Sequence, residues 1–289
     1  MAATEVFAPA KINLALHVTG RRADGYHLLE SLVAFAPVGD VVQIAPGNGL
    51  SLRVIGPEAA GVPLDMSNLA LRAAALLGQD AALTLDKRLP SSSGIGGGSA
   101  DAAAALRGMA ALTGREIDAT QALALGADVP MCLDPVPLRV GGIGEQLTRL
   151  NLPSVAAVLV NPRRPVSTPE VFKSLQSREN SPIPALPKLS DAAGLIAFLR
   201  TLRNDLEAPA IRVEPMIRIV LSALGAQRGC GLARMSGSGA TCFGLFAREE
   251  DAQRAAEQIG REKPDWWVAG GLLGDQSQQA APRMTQRAQ

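Results

Sequence analysis

The chain has 289 residues, room for about two domains and for a core that needs no disulfide staples. Lys and Arg outnumber Asp and Glu by only 28 to 27, the net charge is +1, and aromatic residues make up 3%. A nucleic-acid partner would call for a basic excess and stacking platforms, so none is expected. With 47% hydrophobic residues the chain is too apolar for a disordered polymer.

Cys132, Cys230 and Cys242 form no C-x-x-C pair, and His17 and His27 are the only histidines. A disulfide framework and a Cys/His zinc site are therefore not expected, and a reducing cytoplasm is the expected location. The apolar N-terminal stretch has no basic region ahead of it and is interrupted by Lys11, so no signal peptide is expected. Apolar runs such as 155–160 and 195–199 fall well below the roughly 18 residues of a membrane helix, and no membrane partner is expected.

Residues 11–19 alternate, with Ile12, Leu14, Leu16 and Val18 on one side and Lys11, Asn13, Ala15, His17 and Thr19 on the other, which predicts a half-buried strand. A charged loop, Thr19-Gly-Arg-Arg-Ala-Asp-Gly25, leads into Tyr26-His27 and a strand through Phe35. Residues 40–45, 50–55 and 83–89 read as further strands, with a helix over 68–77 between the last two. The glycine-rich stretch 90–98 opens into an alanine-dense helix ending near Thr113, with Gly114 as its stop. A helix over 118–125 ends at Gly126, Pro130 disfavours its continuation, and 138–150 reads as a hairpin.

Beyond Pro153, residues 155–160 read as a buried strand, and a helix starts at Pro169 with Thr168 as its cap. The proline-rich stretch 180–187 reads as a surface loop. Helix 213–227, strand 232–235, a glycine turn, strand 241–246, helix 249–261 and strand 266–272 complete a βαββαβ order, the pattern of a ferredoxin-like half. The expected fold is α+β in two domains, 1–152 and 153–274, followed by a polar, glutamine-rich tail over 275–289 expected to be disordered.

The strongest chemical signal is Pro90-Ser-Ser-Ser-Gly94-Ile-Gly-Gly-Gly-Ser99-Ala-Asp101 at a helix start. Clustered glycines let the backbone approach a bulky anion, and the helix N-terminus offers free N–H donors at the positive end of its dipole. This is phosphate-binding chemistry, but G-x-x-x-x-G-K-[ST] is absent and Ser99 stands where a dinucleotide fingerprint has its third glycine.

Ser236-Gly-Ser-Gly239 lies between two strands, where it serves either turn geometry or one wall of a site between lobes. Lys11 and Asn13 share a strand face, either as a solvated edge or as a cation and a hydrogen-bonding group beside a reacting oxygen. Asp128 stands among apolar neighbours and needs a partner, for which Lys11 is the candidate. A carboxylate and a lysine beside a bound phosphate suit hydroxyl activation, because phosphoryl transfer rests on positioning and charge stabilisation. Tyr26, the single tyrosine, adjoins His27, and the two rings together suit a planar ligand group.

The motifs Pro9-Ala-Lys-Ile-Asn-Leu14, Gly25-Tyr-His27, residues 90–101, Leu125-Gly-Ala-Asp-Val-Pro130, Ser167-Thr-Pro-Glu-Val-Phe172, Asn204-Asp-Leu-Glu207 and Ser236-Gly-Ser-Gly239 together resemble the GHMP kinase family. The resemblance spans about residues 7–273. It implies a ribosomal-S5-like domain followed by a ferredoxin-like one, an ATP-dependent small-molecule kinase, and Mg2+ arriving with ATP. It implies Lys11 and Asp128 as the catalytic pair, with Asn13 beside them. The ATP site it implies comprises Pro90, Ser91, Ser92, Ser93, Gly94, Ile95, Gly96, Gly97, Gly98, Ser99 and Ala100, with Asn68, Leu69 and Lys87 close to the nucleotide.

Within the family, Gly25-Tyr-His27 and Gly126-Ala-Asp-Val-Pro130 resemble the branch whose alcohol substrate carries a cytidyl group. That implies a base site of Tyr26, His27, Thr168 and Phe172, with the cytosine held between Tyr26 and Phe172 and with Gly237 and Gly239 shaping the cleft. A homoserine- or mevalonate-type kinase, or a non-catalytic nucleotide binder on the same scaffold, is the alternative. Ala100 replaces a usual second serine of the loop, and the metal ligands are left open. A monomer or homodimer is expected.

Overall fold

The structure, a computed structural model, describes residues 2–78 and 80–286. The chain starts with two long strands, β1 (Ala2–Arg21) and β2 (His27–Pro46), then β3 (Ser51–Ile55), α1 (Leu69–Leu77) and β4 (Ala81–Asp86). Next come α2 (Gly97–Thr113), α3 (Ala119–Leu125), α4 (Val129–Leu133), β5 (Leu138–Gly141) and β6 (Gln146–Arg149). The second half contains β7 (Val155–Asn161), α5 (Thr168–Lys173), α6 (Ala192–Arg200), α7 (Glu207–Val213), α8 (Met216–Gly225), β8 (Cys230–Met235), β9 (Cys242–Phe246), α9 (Glu249–Glu262) and β10 (Trp267–Leu273). α10 (Ser277–Ala280) and β11 (Arg283–Gln286) follow.

The first sheet runs β11-β1-β2-β4-β3, with β5 and β6 branching from β2. β1 and β2 pair antiparallel along most of their length, with register shifts at Pro9/Lys11, Asn13/Ala15 and Val18/Gly20. Residues 27–35 and 40–45, expected as two strands, are one. β2 changes partners along its course, pairing β5 through Ser31–Val33 and β4 through Val41–Pro46.

β1 corrects the expectation of a half-buried strand. Ile12, Leu14 and Val18 are fully buried, and so are Ala15 and, nearly so, Lys11, Asn13 and His17. Its start packs under α1 and α2, and its later residues meet the second sheet and its helices, so no face is left for water. Polar groups buried this way must be hydrogen-bonded, and that requirement concentrates chemistry on β1.

The second sheet, β10-β7-β9-β8, is antiparallel throughout and is crossed by α8 and α9, the ferredoxin-like arrangement. β7 is buried at all seven positions because sheet and helices sandwich it. α8 starts at Met216 rather than 213 because Pro215 separates it from α7.

Two further expectations are corrected. The cap of α5 is Ser167, whose hydroxyl accepts from the Glu170 amide, and Thr168 is the first helical residue. The tail is ordered to Gln286: β11 pairs antiparallel with Ala2–Glu5, Ala280 is buried, and the Gln276 amide donates to Pro135 O at 2.9 Å. Its polar composition hid an edge strand whose partner lies 280 residues away, while residues 287–289 fall outside the described residues.

Candidate active site

A cleft of about 1380 Å³ lies between the two halves. Lys11, Asn13 and Asp128 line it, as do Asn68, Leu69, Lys87, Pro90, Ser91, Ser92, Ser93, Gly94, Gly96, Gly97, Gly98 and Ser99. Tyr26, His27, Thr168, Phe172 and Gly237 line its other end. Ile95, Ala100 and Gly239 are not part of the wall. Ile95 and Ala100 point into the core, and Gly239, at the end of the Ser236–Gly239 turn (the third loop of the site), faces Met235.

The glycine loop is shaped by its own backbone. Gly96, at φ +67, is the N-cap of α2 and offers no side chain to cap it. The first-turn amides therefore have no helical acceptor and sit at the positive end of a 17-residue helix. Gly94, at φ +75, lies so close to the third loop that a Cβ there would fall 2.5 Å from Ser236 O. Glycine at this position is what lets the two loops meet.

That meeting is bonded on both sides. The Ser236 hydroxyl donates to Gly94 O at 3.0 Å, the Thr241 amide donates to Ser93 O at 3.1 Å, and the Lys11 amide donates to Ile95 O at 3.0 Å. The Asn204 Nδ2 donates to both Met235 O and Gly237 O at 2.8 Å, holding the third loop from below. Arg234 is buried and donates to Leu14 O, Leu199 O and Leu202 O, so it ties β1 to the second half. Burial of the Arg234 guanidinium pulls it down to about 10, and the nearby Glu207 opposes that fall.

Lys87 lies beneath the loop. Its ammonium is 2.5 Å from Asp40 Oδ2 and 2.8 Å from Asp101 Oδ2, with all three side chains buried. Asp40 Oδ1 also accepts from the Arg88 and Leu89 amides, which fixes the strap leading into the loop. Among the described residues Asp101 Oδ1 has no hydrogen-bond partner, and burial pushes the Asp101 carboxyl well above its ordinary value, against the pull of Lys87. Sequence reading missed Asp40, the partner role of Asp101, and Ser31. A carboxylate in an alanine run, as Asp101 is, signals a buried partner, whereas nothing local marked Asp40.

At the centre, Lys11 Nζ is 3.0 Å from Asp128 Oδ2 and donates to Asn13 Oδ1 at 3.0 Å. Asn13 Nδ2 donates to the Ser31 hydroxyl at 2.8 Å, which donates to Ala15 O at 2.6 Å. Both groups of the Asn13 amide are thus committed and Lys11 is held in place. Asp128 differs: its side chain is 39% exposed, lines the cleft, and caps no amide of α4, and its Oδ2 is the oxygen that meets Lys11.

At the far end Tyr26, His27 and Phe172 all line the cleft, and the ring contact within the protein is between His27 and Phe172. Their ring centroids are 4.8 Å apart and the planes 30° apart, while Tyr26 is 62% exposed at the rim. The bulge at Val18/Gly20 and the tight loop before β2 put His27, the first residue of the strand, on the cleft side. Burial, with Arg21 and Arg178 nearby, holds the His27 imidazole below its ordinary value, and its Nε2 is buried without a partner. The Thr168 and Ser238 hydroxyls are 2.7 Å apart, joining α5 to the third loop.

Profile matches agree with this geometry: the GHMP kinases N terminal domain matches residues 68–137 and the GHMP kinases C terminal domain matches residues 183–265. The chain belongs to the GHMP kinase family, whose members are ATP-dependent small-molecule kinases. It is 53% identical over 97% of both chains to the 4-diphosphocytidyl-2-C-methyl-D-erythritol kinase of Roseobacter denitrificans. To the enzyme of that name from Cereibacter sphaeroides it is 58% identical over 92% of this chain and 98% of the other. A crystal structure of 4-(cytidine 5'-diphospho)-2C-methyl-D-erythritol kinase superposes with a TM-score of 0.77 at 36% identity, covering 93% of this chain and 99% of that one. Among the described residues no helix is long and apolar enough to cross a membrane.

Proposed function

We propose that the chain transfers the γ-phosphoryl group of ATP to the 2-hydroxyl of 4-diphosphocytidyl-2-C-methyl-D-erythritol, giving the 2-phosphate and ADP, a step toward isoprenoid precursors. The observation that carries this reading is the Lys11–Asp128 pair, 3.0 Å apart between a glycine-loop helix start and a paired-ring wall. ATP lies along residues 90–99, with its phosphates at the first turn of α2 and its nucleoside toward Asn68 and Leu69. The cytidyl group lies at the His27–Phe172 wall, where His27 Nε2 supplies a hydrogen-bonding atom and Tyr26 covers the ligand from the rim.

The Asp128 carboxylate takes the proton of the 2-hydroxyl as the new O–P bond forms and the bond to the leaving ADP breaks. Lys11 orients Asp128, and its ammonium stabilises charge on the transferring group. Asn13 fixes the Lys11 ammonium. Magnesium, when bound with ATP, neutralises phosphate charge. Among the described residues no three acidic, Cys or His side chains form a ready cation site, and the cleft-facing Ser99 hydroxyl at the start of α2 is the protein group that would meet it. Both walls of the cleft come from one chain, with the lobes dividing near residue 152, so a monomer or a homodimer in the cytoplasm would suffice.

The test is ADP release with Mg-ATP in the presence of the cytidyl alcohol, homoserine, mevalonate or no acceptor. Release dependent on the cytidyl alcohol alone is the expected result. Release with another acceptor would keep the kinase and overturn the substrate.

A further inference from the structure

Three elements carry the chemistry proposed above: α2 follows the glycine loop, β1 bears Lys11, and α4 is headed by Asp128. One half-buried side chain touches all three. Arg107, on α2, donates through Nη1 to Cys132 O at 2.5 Å and Leu133 O at 3.3 Å, through Nη2 to Phe7 O at 3.0 Å, and through Nε to Ala280 O at 3.1 Å. All four acceptors are backbone carbonyls.

We propose that Arg107 is the positioning residue that holds Asp128 against Lys11, by fixing the C-terminal end of α4 to β1 and to the ordered tail. The inference rests on Asp128 and Lys11 being the reacting pair.

The geometry leaves Asp128 dependent on where its helix sits. α4 has only five residues, Asp128 makes no cap bond with it, and the ion pair to Lys11 is the carboxylate's hold on β1. At 1.5 Å per residue, about 7 Å of helix separates Asp128 from the carbonyls that Arg107 grips. A tilt at one end of so short a rod therefore moves the other by a comparable distance. Phe7, the acceptor on β1, precedes Lys11 by four residues, so the same guanidinium references both members of the pair. Its cation also suits the negative end of α4.

The fork is what the position requires. A guanidinium offers five N–H donors in one plane and reaches carbonyls on opposite sides, whereas a lysine ammonium is a point that cannot span them. The fourth acceptor, Ala280 O, gives the tail a role: α10 closes over Arg107 and supplies a bond to Nε. Burial pulls the guanidinium down to about 10, which still leaves it cationic at neutral pH.

The experiment measures kcat and both KM values for Arg107→Lys, Arg107→Gln, Asp128→Asn and the double variant Asp128→Asn/Arg107→Lys. Because misplacing a reacting group by about 1 Å costs on the order of 100-fold, Arg107→Lys is expected to lower kcat by about 10- to 100-fold, with both KM values within about twofold. Added to Asp128→Asn, it should lower the residual turnover no further, since the two act through one group. A kcat within about twofold of the parent, or a full multiplicative loss on the Asp128→Asn background, overturns the proposal. Should Arg107→Gln prove insoluble, Arg107→Lys, which keeps the charge and loses the fork, still decides it. Parental turnover in Asp128→Asn would remove the proposed base and this inference together. An inactive Asp128→Asn beside a fully active Arg107→Lys would remove this inference alone.

Discussion

At the glycine-loop end of the cleft, the groups that set the geometry are buried and bonded to one another: Lys87 to Asp40 and Asp101, Ser236 to Gly94, Asn204 to Met235 and Gly237. At the ring-lined end, His27 Nε2 has no partner, Tyr26 stands 62% in solvent, and Phe172 meets its neighbour by ring contact. One end is bonded within the protein, and the other keeps open groups that the proposed cytidyl ligand would meet. The contrast follows from the two tasks: stabilising a transferring phosphoryl group rewards donors that need no reorganisation, whereas recognising a base needs only a shaped, dry wall with an open hydrogen-bonding atom.

The sharpest way to test this division is at its junction. Asp128→Asn retains size and hydrogen bonding but loses the basic oxygen, so ATP affinity should hold while kcat falls by about 10²- to 10⁴-fold. Single-turnover phosphoryl transfer and separate nucleotide titration would measure the two. A coupled loss of nucleotide binding would mean that Asp128 belongs to the bonded end instead.

The bonded end should fail by unfolding. Lys87→Met leaves the Asp40 and Asp101 carboxylates buried together without their cation. Removing one partner of a buried ion pair costs about 3–5 kcal/mol, which denaturant titration at neutral pH would register. Because burial already pushes the Asp101 carboxyl up, a proton held by that pair would lessen the loss, and the variant should regain stability as pH is lowered from 7 toward 5. The reverse trend would show that the triad does not act as one unit.

At the open end, Phe172→Ala removes the ring that faces His27. Stacking of a base on an aromatic side chain is worth about 1–3 kcal/mol, so KM for the cytidyl alcohol should rise by about 5- to 150-fold, with KM for ATP unchanged.

The glycine loop and the motifs around Lys11 and Asp128 were legible because each is a contiguous run whose residue types already state a mechanism. The pairing of Lys87 with Asp40 and Asp101 was not, since it joins positions 47 and 14 residues away across a sheet and a helix. The Lys11–Asn13 face looked solvent-exposed because alternation reports one buried face and cannot report that a second lobe covers the other. Tyr26 and His27 were read as partners because they are adjacent in sequence. Tyr26 lies just before β2 and stands at the rim, and the ring that reaches Phe172 belongs to His27, the first residue of the strand. The tail's glutamines marked it as polar without marking the partner strand at the other end of the chain.

Acid should weaken the open end gradually. Burial, then Arg21 and Arg178, hold His27 below its ordinary value of 6.5, and burial lowers His17 likewise. The unfolded chain takes up these protons as pH falls through about 6.5 while the folded chain resists, so stability declines in that direction. Protonating His27 also places a cation beside two arginines, so KM for the cytidyl alcohol should climb several-fold between pH 7 and 5.5 with KM for ATP level. A flat substrate KM would take His27 out of base recognition.

The smallest expected effect is at the rim. Tyr26→Ala removes an exposed ring, while the residue's backbone bonds, its amide to Asp24 Oδ1 at 3.2 Å and its carbonyl accepting from the Arg22 amide at 2.8 Å, are kept. Stability should change by less than about 0.5 kcal/mol, as for most surface substitutions. What the ring does must then appear only with substrate present. If Tyr26 closes over the base, KM for the cytidyl alcohol rises while kcat at saturation holds, and Tyr26→Phe restores the parental value, since the contact is made by the ring face. If Tyr26→Phe behaves like Tyr26→Ala, the hydroxyl is the working part. If neither moves KM, the wall of His27 and Phe172 recognises the base unaided, and the open end is narrower than the cleft suggests.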